Sequence, residues 1–193
     1  MINFRKTAYL AGAGVFLAFP AFASADFSWD FSTVVSGDTP GGSAPWATLD
    51  GVTNGSDVDF TLTFNDNGAP ADEFLKQLDL AYTGGFSGST LVTSDPGITG
   101  TTFGPLTDAG GHFDVKIDFS TPNNSDRVNP GEVVTFTITN ADADLFTNGL
   151  LHINNTPGPE GSGKVGPVPE PASMAALAMG AAGLLARKRR NRK

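Results

Sequence analysis

The chain has 193 residues, no cysteine, 24 glycines and 13 prolines, and a net charge of −8. Without cysteine it has no disulfide scaffold, no thiol nucleophile and no Cys-ligated zinc site. All 20 acids lie between Asp26 and Glu170, against only Lys76, Lys116, Arg127 and Lys164 in that span, so the body repels nucleic acid.

Residues 1–25 read as a secretory signal peptide. Arg5 and Lys6 form the positive region, Thr7 to Phe19 the apolar run, and Pro20 ends the helix. Ala23 and Ala25 put small residues at both specificity positions of a signal peptidase site, with cleavage expected before Asp26. The apolar run is too short to span a bilayer comfortably as an uncleaved helix.

Residues 26–155 alternate apolar and polar with period two in several places. Phe27, Trp29, Phe31 form one series, and Val58, Phe60, Leu62, Phe64 another. Phe113, Val115, Ile117, Phe119 and Val134, Phe136, Ile138 follow, with shorter cases at Leu78, Leu80, Tyr82 and at Leu151, Ile153. One apolar face per strand implies antiparallel sheets, and the Gly, Asn, Asp and Pro turns between them imply an all-β sandwich or jelly-roll-like domain. Pro70 to Lys76 and Asp142 to Phe146 are the two places where a single helical turn is expected. Residues 156–167 read as a Gly/Pro-rich linker.

Several constellations invite sharper readings. Gly161-Ser162-Gly163-Lys164-Val165-Gly166 spells G-x-G-x-x-G, but Pro167-Val168-Pro169 follows, so no helix can start there to hold a pyrophosphate. Val165 also replaces the Ser or Thr that a P-loop needs for magnesium, which leaves the linker reading. His112 and His152 fall on the polar phase of their strands and are expected to face water. Ser87 in Gly85-Phe86-Ser87-Gly88-Ser89 does not match a nucleophile elbow. Asp57-Val58-Asp59, Asn65 to Gly68 and Asp142-Ala143-Asp144 could offer oxygens to calcium, but turn chemistry accounts for them, and no metal or cofactor is expected. Trp29, Trp46 and Tyr82 are the candidates for a sugar-stacking platform, against a role in the core.

The last 26 residues read VPEPASMAALAMGAAGLLARKRRNRK. Ala172 to Ala186 carries no charge; as a helix it covers roughly 22 Å, short of a ~30 Å hydrocarbon core. Arg187, Lys188, Arg189, Arg190, Arg192 and Lys193 would hold its far end in the cytoplasm, so a single membrane helix, itself a marginal anchor, is expected. Pro169 and Pro171 keep the backbone around Glu170 extended, the form a protease cleft binds.

Val168-Pro169-Glu170-Pro171-Ala172-Ser173, an apolar helix and an Arg-rich terminus, in that order, resemble the PEP-CTERM sorting signal over residues 168–193. The resemblance implies recognition of Val168 to Pro171 by an exosortase, with residues 172–186 a transient membrane helix and 187–193 its retention signal. It also implies export in a Gram-negative bacterium that makes extracellular polysaccharide, with signal peptidase, exosortase, the membrane and exopolysaccharide as partners. The body is diffusely similar to exported domains found ahead of such tails, through Phe113 to Phe119, Gly131 to Thr139, the turn near Phe146 and Leu151-His152-Ile153. The leading expectation is a non-enzymatic surface or matrix protein. A carbohydrate-binding module is the alternative, and a secreted hydrolase using paired carboxylates the third reading.

Overall fold

The computed structural model describes residues 26–122 and 125–167. The predicted signal peptide, with Ala23 and Ala25, and residues 168–193 with the sorting motif, apolar helix and basic cluster lie outside them. Among the described residues no helix is long and apolar enough to cross a membrane.

Among the described residues ten strands form one antiparallel sheet: β1 (Phe27–Gly37), β2 (Ala47–Asn54), β3 (Asp57–Phe64), β4 (Phe74–Tyr82), β5 (Leu91–Val92), β6 (Ile98–Asp108), β7 (Gly111–Phe119), β8 (Val133–Ile138), β9 (Phe146–Asn154) and β10 (Ser162–Pro167). Their order across the sheet is β5-β8-β3-β2-β1-β10-β9-β4-β7-β6. The sheet folds over on itself into a nearly closed sandwich. β1 makes the corner: Phe27–Phe31 pairs with β2, while Phe31–Gly37 pairs with β10. Two irregularities in the second pairing, between Phe31 and Thr33 and between Val34 and Ser36, give the strand the bend that a change of layer requires.

The period-two reading predicts the core. Val58, Phe60, Leu62 and Phe64 of β3 are buried, as are Val115, Ile117 and Phe119 of β7 and Val134, Phe136 and Ile138 of β8. Rings meet across the two layers, with Phe60 of β3 edge-on to Phe146 of β9 at 5.1 Å and Phe27 of β1 6.2 Å from the same ring. Such contacts add to the large apolar area that aromatic burial removes from water.

Two sequence readings change, and one expected turn is found. The turn expected over Pro70 to Lys76 shrinks to one bend, closed by the Glu73 amide on the Pro70 carbonyl at 3.1 Å. β4 starts at Phe74, because Phe74 and Leu75 are both buried and the Leu75 amide donates to the Val128 carbonyl at 3.0 Å. At Asp142 to Phe146 a single 3-10 turn, Ala143–Leu145, does form, with the Asp144 amide capped by the Asp142 side chain at 3.0 Å.

The largest correction concerns residues 156–167. They are not a linker. A turn closed by Asn155 on Gly161 leads into β10, which lies in the middle of the sheet between β1 and β9. Val165 is fully buried. The Asp38 carboxylate holds the turn by accepting from the Glu160 and Gly161 amides at 2.7 Å each. The glycines that suggested flexibility serve close packing instead. A Cβ on Gly163 would stand 2.0 Å from the Asp38 carbonyl oxygen. Sheet structure therefore continues to Pro167, the last described residue.

A linker would tolerate Gly163→Ala, but a central strand pressed against Asp38 cannot. The substitution should cost at least about 2 kcal/mol, the range of overpacking changes, read from urea unfolding of the exported chain.

Candidate functional site

Both ends of the described residues are tied into the sheet. Asp26, the residue expected to follow signal peptidase cleavage, donates its amide to the Gly51 carbonyl at 2.8 Å. Its carboxylate accepts the Thr53 amide at 2.5 Å, and the Thr53 hydrogen bonds hold its pKa below the usual carboxylate value. At the other end Pro167 closes β10 opposite Phe31 of β1. The N- and C-terminal strands of the domain are thus sheet neighbours.

A polar cluster sits on the outer face of β4, β9 and β10, beside that exit. Leu78 and Leu80 face the core, so Asp79 between them faces away from it, yet Asp79 is only 1% exposed. The cover is the tip of the β6–β7 hairpin. β6 is irregular between Phe103 and Leu106, and the tip, Asp108–Gly111, lies over β9, β10 and β1. It shares a cleft of about 340 Å³ with Val35, Gly149, Gly166 and Pro167. Phe113 and Leu150 are buried there, outside the main core.

Within this cover the Lys164 ammonium contacts Asp108 Oδ1 directly. Gln77 Nε2 donates to both oxygens of Asp79 at 2.8 Å and reaches Asp108 Oδ2 at 3.4 Å. Burial pushes the Asp79 carboxyl up to about 6, and the negative charge of Asp108 adds to this. Asp79 and Asp108 hydrogen bond to each other. Burial works against the Asp108 anion, but the Lys164 contact outweighs it and holds that pKa below the usual value. His152 pairs with Lys164 on one side and Gln77 on the other. It keeps the polar phase expected for it but is half-buried. Burial, then the charges of Lys76 and Lys164, push it down to about 4. Away from this cluster, Glu73 is fully buried in the loop before β4, its pKa raised by burial while it accepts the Gly41 amide at 2.7 Å.

The other sequence candidates resolve differently. Trp46 and Tyr82 are core residues, and Trp29 packs on Phe27 at 4.5 Å against the core. The large exposed hydrophobics among the described residues are valines, Val35, Val92 and Val133, so no aromatic row lines an outer sheet face there. The acidic turns serve the fold: Asp57 accepts the Asn140 amide at 3.0 Å, and Asp59 accepts from the Thr137 hydroxyl at 2.6 Å and the Asn54 amide at 2.9 Å. Asn65 and Asn67 both donate to the Pro45 carbonyl. His112 is exposed at the start of β7.

Residues 167–190 match the PEP-CTERM protein-sorting motif. Neither a curated protein nor a solved structure matches the chain. The chain therefore carries a C-terminal PEP-CTERM signal, the mark of an exported protein sorted to the cell surface with an exosortase as its processing partner. The match begins at Pro167, the last residue of the central strand β10.

Of the shifted groups on this face, Asp79 and His152 act in opposite senses. Asp79 keeps its proton up to about 6 while the unfolded chain releases it near 3.8, so its contribution to stability is full below 3.8 and is lost as pH rises through 6. His152 refuses a proton that the unfolded chain takes near 6.5, so its contribution is present above 6.5 and is lost as pH falls toward 4. His152→Gln should consequently lose less stability than the wild type between pH 6.5 and pH 4, measured as the shift in urea midpoint. Equal losses in the two proteins would show that His152 titrates normally.

Proposed function

We propose that this is a non-enzymatic surface or matrix protein processed at both ends: by signal peptidase before Asp26, and by an exosortase in the Pro169-Glu170-Pro171 region. The observation that carries the reading is the continuity of the sheet with the sorting motif. β10 ends at Pro167, where the motif match begins. Cleavage after that point spares every strand of the body, whereas cleavage a few residues earlier would remove the sheet's central strand.

The spacing also explains how the tail could work. Four residues, Val168 to Pro171, span at most about 13–14 Å when extended. The body would stand close to the membrane while a short Ala-rich helix and the basic cluster Arg187 to Lys193 hold it there. A helix of roughly 22 Å in a ~30 Å core is a poor permanent anchor, which suits an intermediate awaiting cleavage. The final location would be the cell surface or the polysaccharide matrix of a Gram-negative bacterium.

Intact-mass analysis of the mature protein from its own cells tests this. The expected species begins at Asp26 and lacks everything beyond the Pro-Glu-Pro region. A mature protein that still carries Arg187 to Lys193 would establish a permanent anchor instead.

A further inference from the structure

We propose that Lys164 and Asp108 condense to an intramolecular amide, tying β10 to the tip of the β6–β7 hairpin, with Asp79 as the acid that shuttles the proton. The proposal is independent of how the tail is processed.

The geometry carries it. Lys164 Nζ touches Asp108 Oδ1, although β10 and β6 are separated in the sheet by β9, β4 and β7. The two side chains meet only because the hairpin tip lies over the outer face. Side-chain exposures of 24% for Lys164 and 22% for Asp108 place the contact largely under cover. Beneath it Asp79 is 1% exposed and hydrogen bonded to Asp108. Gln77 fixes Asp79 through both of its oxygens. Nucleophile and acid therefore each meet the electrophile Asp108, beside the buried apolar side chains Phe113 and Leu150.

The chemistry needs no outside reagent. Proton transfer within the ion pair gives a neutral amine and a carboxylic acid. The Lys164 nitrogen then adds to Cγ of Asp108, and Asp79 gives its proton to the carboxyl oxygen as charge develops there. The tetrahedral intermediate collapses with loss of that oxygen as water, and Asp79 regains a proton from the nitrogen. The balance is one ammonium plus one carboxylate giving one amide plus one water, with Asp79 unchanged. Burial raises the Asp79 pKa to about 6, so a proton is held there under mildly acidic conditions. Amide condensation is unfavourable between free molecules in water. Groups held in contact reach effective molarities of about 10⁵–10⁸ M, and cover from solvent limits the back reaction. In a chain without cysteine this bond would be a covalent brace on the strand that leads to the sorting motif.

The test is a tryptic peptide map of the full exported chain by tandem mass spectrometry. The peptide spanning residues 77–116 should be found joined to the one beginning at Val128, at their combined mass less one water. Lys164→Arg should abolish the joined species and slow the chain's migration on a denaturing gel. Asp79→Asn, checked for native fold by circular dichroism, should form it at least ~100-fold more slowly, as expected for loss of a positioned acid. Separate, unmodified peptides from the folded wild-type chain would overturn the proposal and leave an ordinary ion pair, whatever the variants do. An Asp79→Asn protein that folds and cross-links at the wild-type rate would remove Asp79 from the mechanism.

Discussion

The structure depends on the place of β10. The last strand of the body enters the sheet between β1, the first strand, and β9. Until residues 162–167 are in position, the two halves of the sheet have no backbone hydrogen bonds to each other across their centre. Long-range pairing of this kind is entropically costly to form, since the ends of a long loop must meet before any contact rewards them. In an exported chain the requirement has a direction. The body can complete its sheet only when the segment just before the sorting motif has been exported with the rest of the chain.

The same strand organises the outer face. Lys164 projects from β10 toward the hairpin tip, while its neighbour Val165 is fully buried in the core. Asp38 secures the turn before it, and the close pass of Gly163 against the Asp38 carbonyl fixes its position. The hairpin tip then covers Asp79, and that cover, rather than any property of the strand itself, raises its pKa. Burial without full neutralisation is costly for a carboxylate, and the Gln77 amide and Asp108 contacts are what make the site tolerable. Charge, cover and strand order are three aspects of one packing arrangement beside the exit of the tail.

Much of this was legible in the residues. Strict alternation at Val58–Phe64, Val115–Phe119 and Val134–Ile138 marks both the strands and their buried faces, because one wet and one dry face leave a period-two record. The sorting tail was legible because its signal is an order of compositions rather than a fold. β10 was not. Ser162 to Pro167 has one large apolar residue, Val165, and its glycines look like flexibility when the reason for them is a backbone carbonyl that comes from residue 38. Asp79 was hidden for a related reason. Period two assigns it to water, and only the fold-back of a hairpin some thirty residues later removes that water. Trp46 is intermediate: composition allowed either core or platform, and three-dimensional packing decides for the core.

Amide hydrogen exchange over residues 162–167 of the exported chain tests the central place of β10 most directly. A strand paired on both sides should exchange only with global unfolding, as slowly as β1 and β9. Exchange of the Lys164 and Val165 amides at the rate of an exposed loop, while β1 and β9 stay protected, would contradict it.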